Sequence, residues 1–259
     1  MNDSYLQQVM FEARERVLSK KNRNLNFLLQ QRYEWIAAQI KPHEKGLELG
    51  AGAGHSKMFL DKYNYLTSDI NNLHWTDKPK LDALDTKFDD KEFDYVFAVN
   101  VLHHVDNPVS MICEAMRIVK PGGKIIIYDA YSSLLFRFLM KIVKHEHCNE
   151  KVDVFLPGYS LSRLARTLWD GNNSTAKLMF AQTEKLKTVF PDFTLAHMSH
   201  SEVFLFLNSG GVYRKTPYLP LPERCLKSVL KLDGFLAGSF PKTSALALRI
   251  VLEKSPDSA

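Results

Sequence analysis

The chain has few of the features that mark secreted and membrane-spanning proteins. Its three cysteines, Cys113, Cys148 and Cys225, are odd in number and far apart in 259 residues, so we expect reduced thiols rather than a disulfide framework. No apolar run reaches the roughly 20 residues that a membrane-spanning helix needs. The first residues also lack the basic and apolar segments of a signal peptide. These absences favour a cytoplasmic protein.

Size and charge limit the choice further. A chain of this length with 45% hydrophobic residues can bury the core of one domain with additions. The net charge is +5, and residues 203–254 hold eight basic and three acidic residues, which accounts for the whole excess. A solvated basic face explains this segment. The alternative is an anionic partner, such as a phosphate-bearing substrate, an anionic lipid surface or nucleic acid.

Residues 46–56 contain the most informative pattern in the sequence. A strand-like apolar run carries Glu48, and three glycines follow at alternate positions, Gly50, Gly52 and Gly54. Glycines at a strand-to-helix turn allow a sharp bend and close approach of a ligand. A dinucleotide fingerprint would need a small residue where His55 stands, so the spacing argues against one. We expect a helix over residues 55–63.

Strand-like and helix-like segments then alternate from residue 45 to residue 130. This alternation predicts a parallel sheet with helices on both faces. Ligands bind at the carboxyl ends of such strands, and Gly50, Asp69, Asp82 and Asn100 all fall at predicted strand ends. Four polar or flexible positions therefore converge on one rim of the sheet.

The order of these motifs resembles that of the class I S-adenosylmethionine-dependent methyltransferases. The resemblance covers residues 44–131 and rests on the acid and glycines of 48–54, the acid Asp69, the Phe-Asp-Tyr-Val of residues 93–96 and the Val-Lys-Pro-Gly-Gly of residues 119–123. It implies an α/β, Rossmann-like, doubly wound, seven-stranded sheet, mostly parallel with an antiparallel final strand. It also implies a methyltransferase with S-adenosylmethionine as cofactor.

The resemblance assigns cofactor contacts residue by residue. In such proteins the acid after the second strand binds the ribose, which is Asp69 here. The acid after the third strand lies near the adenine amino group, which indicates Asp82, with Asp85 as the alternative if the register differs. The full set implied is Glu48, Gly50, Gly52, Gly54, Asp69, Ile70, Asp82, Ala83 and Asn100.

Two histidines after the fourth strand are candidates for catalysis. A hydroxyl acceptor must lose a proton, and an imidazole titrates near neutral pH. His104 is slightly preferred over His103 as general base; the alternative is that both are hydrogen-bonded residues at a helix start. The run from His145 to Glu150, with His147 and Cys148, suggests metal ligands, but a polar loop explains it more simply and we predict no metal.

The chain is expected to form a single methyltransferase domain over residues 1–259. Its parts are a helical cap (1–43), a cofactor-binding core (44–131) and an acceptor-side half (132–259) with an insertion near 207–242 that shapes the acceptor pocket. Helices are expected at 4–20, with Leu6, Val9, Met10, Ala13, Val17 and Leu18 inward, and from a cap at Asn24 to Ile40. Further elements are expected as helices at 160–170, 181–190 and 222–231, and as strands at 193–203 and 245–253.

The favoured function is methylation of a small molecule, at a hydroxyl of a sugar, a lipid-linked intermediate or a secondary metabolite. An RNA methyltransferase is the first alternative, but residues 100–103 read Asn-Val-Leu-His rather than the Asn-Pro-Pro-Tyr type that holds a base amine, and no RNA-binding module is present, so nucleic acid is not favoured. A non-enzymatic interaction module is the second. Residues 132–147, apolar with Arg137, Lys141 and Lys144 alongside, also allow peripheral contact at the inner membrane face. The oligomeric state is not predicted.

Overall fold

Seven strands form one mixed sheet in the computed structural model, which describes residues 3–143, 147–161 and 171–256. The strand order is β3-β2-β1-β4-β5-β7-β6. β1 to β5 pair in parallel, whereas β7 runs antiparallel between β5 and β6. The predicted fold class is therefore confirmed. The strands are β1 (Gly46–Leu49), β2 (Tyr65–Asp69), β3 (Lys78–Pro79), β4 (Phe93–Val99), β5 (Val119–Ala130), β6 (Phe193–Ser201) and β7 (Ala247–Lys254).

Helices cover both faces of this sheet. Those within the described ranges are α1 (Asp3–Leu18), α2 (Arg23–Ala37), α3 (Pro108–Ile118), α4 (Leu134–Val143), α5 (Thr175–Phe180), α6 (Thr183–Val189), α7 (Phe204–Leu207), α8 (Glu223–Ser239) and α9 (Pro241–Ser244). The helix expected at 160–170 lies almost wholly outside the described residues. Within those ranges, no helix combines the length and the apolarity that crossing a membrane requires.

Neighbouring residues of β5 show how the sheet separates two apolar layers. Ile127 is buried in a cluster with Ile112 of α3, whereas Ile126 is buried in a second cluster with Ile36 of α2. Successive side chains of a strand point to opposite faces, so one apolar run serves both layers. The central strands are thus covered on both sides, and their carboxyl ends are left as the accessible rim.

Asn24 does not cap α2, as the sequence suggested. Asn22 is the cap, because its side chain accepts a hydrogen bond from the Leu25 N–H at 3.0 Å. Asn24 is buried one position inside the helix and donates to the carbonyls of Asn208 and Leu219, at 2.7 and 2.9 Å. Its amide therefore joins α2 to the long segment before α8.

Two other local expectations, the helix over residues 55–63 and the inward position of Leu18, were wrong, and β5 begins before its apolar run. The segment after the glycines is not a regular helix over 55–63 but a single short turn of 3₁₀ helix at Ser56–Met58. β5 begins at Val119, so the Lys-Pro-Gly-Gly turn belongs to an irregular start of the strand, where the register with β4 shifts. Leu18 is exposed at the end of α1, although Met10, Ala13 and Val17 are buried as expected.

Candidate functional site

The glycine turn after β1 adopts a backbone that other residues rarely tolerate. Gly50, Gly52 and Gly54 have φ values of +70°, +50° and +68°. A β-carbon at Gly50 would lie 2.5 Å from a methyl group of Val101, which follows β4. Both the left-handed backbone and the close packing therefore require glycine here. Other side chains of the protein stand where the β-carbons of all three glycines would lie.

Glu48 lies beneath this turn, at the edge of a cleft. Its side chain is buried and accepts a hydrogen bond from the Ser56 hydroxyl at 2.5 Å. Burial raises the pKa of Glu48 to about 8, although the Ser56 hydrogen bond acts in the opposite direction. A cationic ligand in the cleft would favour the ionised carboxylate.

Asp69, at the end of β2, is already engaged with the protein. Its Oδ2 accepts the Gly52 N–H at 2.8 Å, and its Oδ1 accepts the Asn71 backbone and side-chain N–H groups at 2.9 and 2.8 Å. The carboxylate holds the glycine turn against β2, so a ribose would have to share these oxygens. Ile70, beside it, is exposed.

The third-strand acids are on the surface. Asp82 and Ala83 follow the two-residue β3, and Asp82 accepts the Leu84 N–H at 2.9 Å. Asp85 is exposed and pairs with Lys87. Among the described residues, these three do not line the cleft at the glycine turn, so their assignment to the adenine end stays a prediction.

The cleft itself is small, with a volume of about 20 Å³. Glu48, Gly50 and Asn100 line it. Asn100 directly follows β4 with a φ of +55°, and its N–H donates to the Tyr128 carbonyl at 2.7 Å. This strained residue fixes the rim between β4 and β5.

Tyr213 is a wall of the cleft that sequence reasoning missed. The insertion brings it over the glycine turn, where its hydroxyl lies 2.6 Å from the position of a β-carbon at Gly52 and accepts the Ala53 N–H. Burial raises its pKa to about 12. Arg16 of α1 fastens the segment by donating to the carbonyls of Gly211 and Tyr213, at 3.0 and 2.9 Å. Position in sequence gave no signal of this contact.

α2 forms a second wall of the cleft, which the sequence analysis did not predict. Arg32 and Tyr33 are buried and line the cleft opposite the glycine turn. Arg32 makes a two-pronged ion pair with Glu202 at the end of β6, at 2.6 and 2.8 Å, and the Tyr128 hydroxyl donates to Glu202 at 2.5 Å. The inward spacing of α2 could have indicated both residues, because they lie between the buried Leu29 and Ile36.

The two histidines differ in their surroundings. His103 is buried, and its Nδ1 lies 2.5 Å from Oδ1 of Asp129, the last acid of β5. Asp129 also accepts the N–H groups of Leu102 and Ala130, at 2.9 and 2.8 Å, so its orientation is fixed. The His104 ring is half-buried and packs on His103, with centroids 4.0 Å apart. The sequence analysis gave Asp129 no role.

The structure describes only part of the histidine-containing run at residues 145–150, for which the sequence analysis favoured a polar loop over a metal site. His145 lies outside the described residues. Glu150 forms ion pairs with Lys177 at 2.6 Å and Arg137 at 3.0 Å, and it accepts the Ser132 hydroxyl at 3.0 Å. These contacts join α4 to α5, which gives Glu150 a structural role.

Comparisons with known proteins agree with this architecture. A family model described as a methyltransferase domain matches residues 47–127. The solved structure of a methyltransferase from Archaeoglobus fulgidus, dependent on S-adenosylmethionine, aligns with a TM-score of 0.53 over 92% of this chain and 98% of that one, at 15% identity, a likeness of fold. Residues 47–127 thus match a methyltransferase domain, and the fold is that of the S-adenosylmethionine-dependent methyltransferases.

Two curated methyltransferases show how far the sequence likeness extends. A demethylmenaquinone methyltransferase of Tropheryma whipplei is 25% identical over 140 residues, covering 46% of this chain and 57% of that protein. A mitochondrial ubiquinone biosynthesis O-methyltransferase of Dictyostelium discoideum is 39% identical over 64 residues, covering 25% of this chain and 16% of that protein. The chain thus spans about half the length, or less, of these relatives.

The residues present fit the cofactor of this family. S-adenosylmethionine carries an ammonium and a sulfonium, and Glu48 offers a buried carboxylate without a hydrogen-bonded cation among the described residues. The glycine turn carries no side chains of its own, and the Tyr213 hydroxyl lies where a β-carbon at Gly52 would stand. Glu48, Gly50, Gly52 and Asn100 are the residues that would hold its amino-acid end.

Proposed function

We propose that the protein transfers the methyl group of S-adenosylmethionine to a hydroxyl group of a small-molecule acceptor. The observation that supports this most is the pairing of His103 with Asp129 on the rim that carries the cofactor cleft. An imidazole oriented by a fixed carboxylate is the arrangement used for general base catalysis. Methylation of a hydroxyl needs such a base, because the oxygen must lose its proton as it is alkylated.

The roles within the pair follow from its geometry. The bound cofactor supplies an electrophilic methyl group. His103 accepts the acceptor's proton, and Asp129 holds the ring through Nδ1 and stabilises the imidazolium that forms, which makes it a positioning residue. This reverses the slight preference for His104 given by the sequence. Asn100, three residues before His103, lines the cleft.

The names of two relatives support a class of acceptor. One relative is named for demethylmenaquinone and another as an O-methyltransferase of ubiquinone biosynthesis. Both names support a small acceptor, and the second supports an oxygen atom as the methylated position. We therefore place lipid-linked hydroxyl compounds first among the acceptors, ahead of sugars and other metabolites.

The test is methyl transfer from labelled S-adenosylmethionine to a panel of hydroquinones, phenols, sugars and amines. We expect label on a hydroxyl compound. With that acceptor, His103→Ala should lower kcat by about 100-fold to 10,000-fold, the usual contribution of a general base. Asp129→Asn should lower kcat in the same direction while the affinity for the cofactor, measured by calorimetry, stays near that of the wild type.

His104→Ala is the matched control, since His104 neighbours the pair without the contact to Asp129. Transfer to amines alone would contradict the proposal, and so would full activity of His103→Ala. A large loss in His104→Ala with none in His103→Ala would move the base to His104. Failure of the folded protein to bind S-adenosylmethionine would refute the enzyme itself.

A further inference from the structure

One face of α4 is apolar but exposed. Leu134, Phe138 and Ile142 recur every four residues and so lie on one side of the helix, and Phe138 and Ile142 are 61% and 62% exposed. The opposite side is anchored, because Phe136 is buried against Ala130 and Leu246 at the ends of β5 and β7. The helix therefore cannot turn its apolar stripe inward.

The neighbouring helices continue this surface. α9 packs against both α4 and α8. Phe235 of α8 and Phe240 before α9 are 62% and 55% exposed, with ring centroids 6.4 Å apart, and Leu232 is exposed one turn earlier. We call Leu134, Phe138, Ile142, Leu232, Phe235 and Phe240 the apolar face. Exposed apolar side chains grouped on neighbouring helices in this way indicate a binding site.

The exposed charges beside the apolar face are all positive. Lys141 lies on α4, Lys231 on α8 and Lys242 on α9, and all three are exposed. Residues 134–143 contain no acid, and residues 224–252 contain one, Asp233. Asp233 is 1% exposed, because its carboxylate accepts the N–H groups of Val203, Phe204 and Leu205, each at 2.9 Å. The buried Asp233 therefore does not neutralise the positive charge of the lysines at the surface.

We propose that the apolar face and its three lysines dock the protein on an anionic lipid bilayer. Aliphatic and aromatic side chains enter the headgroup region while lysines meet the lipid phosphates, which is the composition of interfacial helices. A symmetric dimer through the same patch would bring lysines of both copies together, and that is unfavourable. RNA binding would use the lysines but would leave the exposed Leu134 and Ile142 without a role.

The apolar face lies close in sequence to the candidate site. α4 begins at Leu134, five residues after Asp129 at the site rim. A lipid-dissolved acceptor would then reach the rim from the bilayer without crossing water. The docking itself does not depend on methyl transfer, and it can be measured when the acceptor is unknown.

The test is sedimentation of the full chain with vesicles. We expect binding to vesicles of equimolar phosphatidylcholine and phosphatidylglycerol, weaker binding as salt is raised, and little binding to phosphatidylcholine alone. Lys141→Gln, Lys231→Gln and Lys242→Gln should each weaken binding by about fivefold. The double variant Phe138→Ser and Ile142→Ser should weaken it more than about tenfold, since two apolar side chains no longer enter the lipid.

Controls come from exposed residues elsewhere. Lys62→Gln removes an exposed lysine and Leu219→Ser removes a leucine that is 68% exposed, and neither should change binding. Circular dichroism checks that each variant is folded. The proposal is overturned if the wild type stays in the supernatant with anionic vesicles, or if the controls weaken binding as much as the face variants. It is also overturned if the face variants disrupt a dimer or RNA binding while vesicle binding is unchanged.

Discussion

The two walls of the cleft hold buried carboxylates in opposite ways. On the glycine-turn wall, Glu48 accepts a hydrogen bond from neutral Ser56, and burial raises its pKa to about 8. On the α2 wall, Arg32 pairs with Glu202; burial opposes ionisation there too, but the guanidinium outweighs it and lowers the pKa of Glu202. Glu202 is thus paired with a cation of the protein, whereas Glu48 could pair with a cation of a ligand.

The difference also gives the two acids opposite effects on stability. A carboxyl whose pKa is raised by folding stabilises the folded state at pH values below its pKa in the unfolded chain, which is near 4.5. This stabilisation is lost as the pH rises towards 8. A carboxyl whose pKa is lowered by folding stabilises the folded state at pH values above its pKa in the unfolded chain. This stabilisation is lost as the pH falls. Glu48 therefore weakens the fold at neutral pH, as expected of a binding group, and Glu202 strengthens it.

Breaking the α2 wall should have the largest effect. Arg32→Met leaves Glu202 buried without its cation, so we expect the free energy of unfolding to fall by about 3–5 kcal/mol. Urea denaturation measures it. The double variant Arg32→Met with Glu202→Gln removes both charges and should recover most of the loss. Equal instability of the two variants would show that packing, not the ion pair, makes this wall.

Removing the charge from the glycine-turn wall should affect the ligand more than the fold. Glu48→Gln keeps the shape but loses the carboxylate, so we expect S-adenosylmethionine to bind at least about tenfold more weakly. Isothermal titration calorimetry provides the affinity. Asp61→Asn, at an exposed acid nearby, is the control and should bind normally. Unchanged affinity in Glu48→Gln would mean that the cationic end binds elsewhere.

The raised pKa of Glu48 predicts a pH dependence that sharpens the comparison. A cationic ligand binds best when Glu48 is ionised, so the affinity for S-adenosylmethionine should rise with pH up to about 8, by at most about tenfold per unit. Calorimetry in buffers of different ionisation enthalpy should detect proton release on binding. Glu48→Gln should remove the proton release; its persistence would assign the proton to another group.

The smallest effect is expected at Tyr213. Its hydroxyl accepts the hydrogen bond of the Ala53 N–H beside Gly52, so this donor is not available to a ligand that approaches the turn. Tyr213→Phe frees that donor, so we expect binding of S-adenosylmethionine to tighten by about fivefold. Tyr218→Phe, in the same insertion, is the control. Weaker binding in Tyr213→Phe would instead show that the hydroxyl contacts the ligand.

Sequence alone predicted the part of the molecule whose signals are local. The glycines, Asp69 and Asn100 each end a strand, and parallel strands bring their carboxyl ends together whatever the details of packing. Asn24 was misassigned because Asn22, two residues earlier, is an equally good cap, and only the contact with the insertion decides between them. The 3₁₀ turn at Ser56–Met58 was missed because apolar spacing does not report such a short element.

Contacts between distant segments could not be predicted in the same way. Tyr213 meets Gly52 across 161 positions of sequence, and Arg32 meets Glu202 across 170. Asp129 reaches His103 across 26 positions, and that contact follows from the adjacency of β4 and β5. It could have been found by asking which side chains at neighbouring strand ends have complementary chemistry.

The fastening of Tyr213 by Arg16 links the first helix to the cleft. Arg16 of α1 holds the carbonyls on both sides of Val212, so movement of Tyr213 away from the cleft is limited by the amino-terminal helix. We expect a chain shortened by α1 to load and release its ligand faster and to retain it for less time. The speed of turnover would then be set at the periphery of the domain rather than at the reacting atoms.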